Sequence, residues 1–198
     1  MTYMIAAETG GMAPAAGAVA TFGGSRAPGG WLACDGSLLQ ISAYAELFSV
    51  IGTLYGGDGN SNFALPDLRG SAAVGTGKGV KLGQKVAGSL PGLGLNYAIC
   101  TGSGVYPVPS GDGSFPGNEA YLGQVLAYAG TQLPEGWAAC NGAMMPVPQF
   151  QPLFSLLGYT YGGAGSIFAL PDLGGRMIVG GTPGAVGGAA MEMPMPAV

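Results

Sequence analysis

The sequence predicts an α+β protein built from two small tandem domains, each with several short β-strands and one short helix. Three observations carry that expectation. The chain aligns with itself: FALPDL stands at Phe63–Leu68 and again at Phe168–Leu173, and GWLACDG at Gly30–Gly36 is answered by GWAACNG at Gly136–Gly142. Its 198 residues include 40 glycines and 15 prolines, so turns interrupt it often and leave only short elements. Apolar residues form strand-like runs in some segments and follow helical spacing in others.

The self-alignment is a tandem duplication. From Gly30 to Gly136 the shift is 106 positions (136 − 30), and the same shift carries Leu47-Phe48-Ser49 onto Leu153-Phe154-Ser155 and Tyr55-Gly56-Gly57 onto Tyr161-Gly162-Gly163. One residue is then lost, because Asn60-Ser61-Asn62 becomes Ser166-Ile167, and FALPDL recurs after 105 positions (168 − 63). A repeat of this length is too long for a solenoid unit, so each copy is expected to fold as a small domain.

Read in order, the first copy begins with a short strand over Gly17–Phe22 (GAVATF), which leads to a proline-glycine turn and the Trp31 segment. Ser42 is placed to cap an apolar helix ending at Gly52, with Leu47, Phe48 and Ile51 at helical spacing. A glycine-rich turn follows, then FALPDL, then a short strand around Val74. The second copy repeats this order. Its strand is Gly123–Tyr128 (GQVLAY), Pro148 falls in the first helical turn, and Leu153, Phe154 and Leu157 form the stripe that ends at Gly158. A strand around Val179 closes the list. The expected divisions are an N-terminal strand in 1–12, a first domain over 13–110, a linker over 111–122, a second domain over 123–182 and a tail over 183–198.

The string PxGWxxCxG, then LFSxxGxxYGG, then FALPDLxG, resembles the phage tail collar family, which includes the microcystin-dependent proteins. The resemblance covers most of residues 17–110 and 123–182, and it rests on three separated motifs that each occur twice. It implies two collar-like domains and a place among phage tail fibres and related adhesive or extracellular proteins, with no settled enzymatic activity. Relatives close the domain with a strand beginning Asn-Tyr, matched here by Asn96-Tyr97-Ala98-Ile99-Cys100. They also carry a long, often histidine-containing insertion before that strand; here it is short, Ser71 to Leu95, and holds no histidine.

Composition excludes several functions. Charged residues make up only 8% of the chain, against about 25% in ordinary soluble domains. Net charge is −4 and mean hydropathy +0.38, so much of the surface is expected to be buried against partners. Six basic residues cannot neutralise a row of phosphates, which disfavours nucleic acid. No apolar run is long enough for a membrane span. MTYMIAAETG lacks a basic and a long apolar region, so no secretory signal is expected, and an extracellular product would leave by lysis or a signal-less route. Histidine is absent, removing the commonest general base and metal ligand.

The remaining candidates for chemistry each have a plainer role. Asp67 and Asp172, inside FALPDL, could be bases or ligands, but each lies between two leucines with no other acid near, and local capping of backbone N–H groups fits better. Cys34 and Cys140 occupy equivalent positions; Cys34 could meet Cys100, yet buried thiols acting as small hydrophobes are the better expectation. GGDGNSN around Asp58 is a tight glycine turn, since calcium needs more oxygens and the second copy has Ala164 there. GTGKG at Gly75–Gly79 lacks the earlier glycine and following hydroxyl of a phosphate loop. Lys78, Lys81 and Lys85 form a solvated loop or a contact for an acid on another subunit. Trp31 and Trp137 could stack sugars, but they sit in the segment most alike between the copies, which points to the core.

No nucleophile–base pair, metal cluster or cofactor loop is found, so neither enzyme activity nor a cofactor is expected. The expected function is structural: a self-assembling subunit of a phage-tail-like fibre or extracellular filament, with the chain itself as partner. The alternatives are a tail-tip adhesin recognising a cell-surface receptor or glycan and, less well supported, a surface-polysaccharide hydrolase. Assembly is expected to use both ends. Met191, Met193 and Met195 give the tail an adaptable apolar contact for a neighbouring subunit. At the N-terminus, Thr2, Tyr3, Met4, Ile5 and Ala6 match NYAIC at a shift of 94 (97 − 3), so the order along the chain is closer, head, closer, head. Asn96–Cys100 is expected to close the first head, so the second must be closed by Thr2–Ala6 of its own chain or of the next subunit. The former gives a closed pseudo-symmetric monomer, the latter a head-to-tail polymer by strand addition, and the polymer is the expectation.

Overall fold

A computed structural model of the chain describes residues 2–9, 15–23, 27–88, 90–102, 120–178 and 191–192. In chain order the elements are β1 (Thr2–Ala6), β2 (Ala18–Phe22), β3 (Trp31–Ala33), β4 (Leu38–Gln40), α1 (Ala45–Ile51), β5 (Asn62–Ala64), β6 (Ala72–Gly75), β7 (Lys85–Val86) and β8 (Gly92–Cys100). They continue with β9 (Val125–Tyr128), β10 (Trp137–Ala139), β11 (Met144–Pro146), α2 (Gln151–Leu157), β12 (Gly163–Ala164), β13 (Ile167–Ala169), β14 (Arg176–Met177) and β15 (Met191–Glu192). Short strands and two short helices fit the α+β expectation, as does their recurrence in two units. Val179 and the 111–119 part of the linker lie outside the described residues.

The central sheet runs β10-β8-β9-β2-β1-β3. Under the repeat shift this order is a palindrome, because β9 is the counterpart of β2, β8 of β1 and β10 of β3. At its centre β2 and β9 pair antiparallel, with Ala18 opposite Tyr128 and Val19 opposite Ala127. Tyr128 and Ala127 are the counterparts of Phe22 and Thr21, so the register relates the two units by a pseudo-two-fold axis. The units also share their interior. One apolar cluster joins Ile5, Leu47 and Phe63 of the first unit to Ile99, Leu153 and Phe168 of the second, where separate cores were expected.

The closing strands are assigned opposite to expectation. Asn96–Cys100 does not close the first unit: it lies between β9 and β10 of the second, with Ile99 opposite Val125 and Ala138. Thr2–Ala6 lies between β2 and β3 of the first, with Ile5 opposite Val19 and Leu32. Matching bonds fix both, from the Cys34 N–H to the Tyr3 carbonyl at 2.9 Å and from the Cys140 N–H to the Tyr97 carbonyl at 2.8 Å. Each closer is therefore inserted into the head that comes after it. The chain needs no donated strand to complete either sheet. Sequence order says which segment follows a head; it does not say which gap between strands receives it.

β8 serves both units. Its first half, Gly92–Leu95, pairs in parallel with β6 and antiparallel with β7, and its second half completes the second head.

FALPDL is a core strand followed by a pinned turn. Phe63 and Phe168 are wholly buried, as are Leu65 and Leu170. The Leu68 N–H bonds the Cys34 carbonyl at 2.9 Å, and Leu173 bonds Cys140 at 2.8 Å. Both helices start later than their sequences suggest. The residue preceding α1 is Tyr44 and that preceding α2 is Phe150, neither with a side-chain cap, so Ser42 caps nothing and Pro152 takes the early helical position expected of Pro148. Tight turns over Ile41–Tyr44 and Pro146–Phe150 use the residues in front of each helix. In the tail, Met191 is opposite Met177 of the same chain. Met193 and Met195 lie outside the described residues.

Candidate functional site

Each FALPDL aspartate is engaged by local donors and a cation. Asp67 accepts from the Arg69 N–H at 3.2 Å and takes the Arg69 guanidinium as a fork, both bonds 2.9 Å. That fork, with the N–H bond behind it, holds the Asp67 carboxyl down at about 2. Asp172 accepts from the Gly174 N–H at 3.1 Å and pairs with the Lys78 ammonium at 2.9 Å, which lowers its pKa in turn. Carboxylates held this far into their ionised form are weak bases at neutral pH. Their geometry anchors the turn after Leu68 or Leu173.

Lys78 therefore meets an acid of the other unit in its own chain, where sequence alone suggested solvent or another subunit. The same junction brings Gly75 against Leu173: a Cβ on Gly75 would lie 1.9 Å from the Leu173 carbonyl oxygen. The Gly175 N–H donates to the Gly75 carbonyl at 2.8 Å.

The three cysteines are buried and free. Cys34 sits in the first unit, Cys100 ends the strand inserted in the second, and Cys140 is the counterpart of Cys34. Burial pushes the Cys34 and Cys140 thiols up to about 12, so neither supplies a thiolate nucleophile. Trp31 and Trp137 open equivalent strands and are half-buried. Trp31 packs on Ala6 and Ala18, with one side left to a surface cleft.

That cleft, of about 280 Å³, is lined by Glu8, Trp31, Tyr44 and Glu46 among others. The Glu46 carboxylate accepts from the Thr9 N–H at 2.8 Å. Glu8 and Glu46 lie 38 positions apart (46 − 8) and only the insertion of β1 beside β3 brings them together, so no spacing in the sequence signals the pair. The second copy has Gly102 and Pro152 at these positions. A second cleft, of about 570 Å³, is lined by Tyr3, Asp35, Arg69 and Leu90 among others. Among the described residues no three His, Cys, Asp or Glu side chains are grouped as a metal site, and no helix is long and apolar enough to cross a membrane.

The assembly residues named from sequence are distributed as follows. Thr2, Tyr3, Met4, Ile5 and Ala6 form β1, with Met4, Ile5 and Ala6 buried in their own sheet. Met191 is paired in β15.

Comparison with known proteins agrees with the motifs. A family model described as Phage Tail Collar Domain matches residues 17–73 and 123–178, together more than half of the chain, and so places one copy in each repeat. Over 78 residues the chain is 37% identical to Protein RhiB of Rhizobium leguminosarum bv. viciae, an alignment that takes in 37% of this chain and 35% of that protein. The chain thus spans about a third of that relative's length. No solved structure matches it.

Proposed function

The chain belongs to the phage tail collar domain family, and on that premise we propose that it is a structural subunit of a phage-tail-like fibre or extracellular filament. The observation that carries this is the double family match on one continuous core, with the aspartates and thiols of both copies committed to turns and interior. It is a scaffold, not an enzyme. Its partner is a further copy of itself, as 8% charged residues on a positive mean hydropathy favour. Its place is a virion, a tail-like particle or an extracellular filament.

Donation of Thr2–Ala6 to the next subunit was the assembly route suggested by strand order. The in-chain pairing of β1 removes its motive, and any such exchange would have to displace a strand already buried in its own sheet. Negative-stain microscopy of the purified chain tests the structural role. Filaments or tail-like particles containing it are the expected result; discrete particles that never join a larger assembly would overturn it.

One observation favours a second role, that of a glycan-binding adhesin. Trp31 and Tyr44 line the same cleft as Glu8 and Glu46, a combination of aromatic rings and carboxylates suited to stacking a sugar and accepting its hydroxyls. Binding of labelled cell-surface glycans that is lost in Trp31→Ala supports it; no binding by the wild-type chain removes it. A polysaccharide hydrolase could use the same two carboxylates. Turnover of surface polysaccharide abolished by Glu46→Gln would be needed to sustain that third role.

A further inference from the structure

The tandem repeat supplies its own control for the cleft beside Trp31. Its aromatic positions recur in the second unit, where Trp137 answers Trp31 and Phe150 answers Tyr44. Its carboxylates do not recur, since Gly102 answers Glu8 and Pro152 answers Glu46. The small neighbours differ as well: Ala43 and Ala45 line the cleft, and Gln149 and Gln151 stand at their positions in the second unit. Aromatic residues common to both copies belong to the framework. The acids are particular to one.

Local bonds hold both acids at the cleft. The Ala7 N–H donates to the Gly30 carbonyl at 2.8 Å, which lays the segment after β1 beside the residue before β3. Glu8 follows directly, and one of its carboxylate oxygens lies 3.5 Å from where a Cβ on Gly30 would stand. Thr9 then donates its N–H to Glu46 at 2.8 Å, tying that segment to the first turn of α1. This bond engages one oxygen of Glu46 and leaves the other. Among the described residues the ion pairs lie at Asp67 and Asp172, so neither glutamate is neutralised, and no Lys or Arg lines the cleft.

Two uncompensated carboxylates in one cleft call for a cation. A divalent metal takes several oxygen ligands, and the described residues group no third acid here. An ammonium group needs less, because it donates to carboxylate oxygens in three directions and is attracted to aromatic faces. We propose that the cleft binds an amino sugar, a saccharide with a free amine, its ammonium paired with Glu8 and Glu46 and its ring laid on Trp31. This rests on the reading of the cleft as a glycan site and narrows it. A sugar ring covers the indole with its apolar face, and its hydroxyls donate to the carboxylate oxygens that the ammonium leaves. A quaternary ammonium has no hydrogen to donate to them. At about 280 Å³ the cleft stands at the small end of ligand pockets, which suits one sugar residue. Uronic and sialic acids are turned away by the same two charges.

Titration calorimetry of the full chain with methyl glucosaminide and its N-acetylated form tests this at about pH 6, where the amine is protonated. The two ligands share ring and hydroxyls and differ in charge. The amine is expected to bind about tenfold tighter, the sum of two exposed ion pairs and a cation–π contact, with the difference shrinking as salt is added. Glu8→Gln combined with Glu46→Gln is expected to abolish the preference and leave weak binding of both sugars, since glutamine can still accept from Thr9. Trp31→Ala is expected to weaken both sugars, and Trp137→Ala neither. Circular dichroism melting checks folding; the glutamine variant changes two exposed side chains and decides the matter if Trp31→Ala fails to fold. Equal affinity for the two sugars overturns amine selection and leaves the glycan-binding role standing. A preference that survives in the glutamine variant overturns the assignment to Glu8 and Glu46. Ethanolamine bound as tightly as the amino sugar overturns the saccharide as ligand. No binding of either sugar overturns the inference, and no binding of any glycan removes the adhesin role with it.

Discussion

The Tyr97 hydroxyl donates to the Ala73 carbonyl at 3.0 Å, tying the closing strand of the second unit to the strand that follows LPDL in the first. Its counterpart Tyr3 reaches the N–H of the same residue, at 3.5 Å. Ala73 is thus held by the closing tyrosines of both units. Tyr97 is buried, so Tyr97→Phe strands a carbonyl acceptor away from water and should cost about 1–3 kcal/mol. The two units should still melt in one transition, because they share a core. Two separate calorimetric transitions in wild type would contradict that coupling.

Removal of residues 1–10 should abolish folding rather than assembly. β1 lies between β2 and β3 with Met4, Ile5 and Ala6 buried, and loss of Met4 and Ile5 alone forfeits about 1.5–3 kcal/mol each. The expected product is insoluble or lacks a cooperative melt. A truncated chain that folds normally and only fails to assemble would restore the donated-strand route.

Gly75→Ala should destabilise the junction between the units. The new methyl group would collide with the Leu173 carbonyl, a backbone atom that cannot rotate away. A cost of about 1–3 kcal/mol is expected in chemical denaturation, with the Gly175 to Gly75 hydrogen bond weakened as well. A melting temperature equal to wild type would mean that Gly75 and the Leu173 carbonyl are not in close contact.

Cys34 and Cys140 should be silent towards thiol reagents in the folded protein. Burial raises both thiols to about 12, so at pH 8 only a trace is thiolate and little of it is accessible. Labelling should appear only as denaturant unfolds the chain. Rapid native labelling at either position, read by mass spectrometry, would place that thiol at the surface.

Acid should weaken the protein through the FALPDL turns. The folded pKa of Asp67 lies near 2, below its ordinary value of 3.8, so its contribution is complete above about pH 4 and is lost as pH falls through about 2. Asp172 is lowered too and acts in the same direction. Asp67→Asn should flatten this acid limb and, the ion pair being largely solvated, cost no more than about 1 kcal/mol at neutral pH. An unchanged dependence of melting temperature on pH between 4 and 2 would remove Asp67 as a contributor.

The sequence by itself determined the repeat and its local structure. FALPDL twice, GW and a cysteine twice, and two apolar stripes ending in glycine are local signals, and each became a buried strand, a paired strand or a helix in both copies. The motifs were also enough to identify the family, and the family model matches both copies. Even the capping geometry of Asp67 and Asp172 was legible, since Asp bonds to a backbone N–H two residues on wherever the turn allows it.

Tertiary structure decided everything that depends on which gap a segment fills. TYMIA and NYAIC are nearly interchangeable as strands, and their order in the chain fits a closer placed before its head as well as one placed after it. Only the burial of Ile5 between Val19 and Leu32, and of Ile99 between Val125 and Ala138, selects the former. The same long-range choice put Glu8 beside Glu46 and Lys78 on Asp172, and merged two expected cores into one. Hydrophobic pattern fixes how a strand faces the interior, but it is blind to the neighbour on either side; that choice belongs to the packing of the whole sheet.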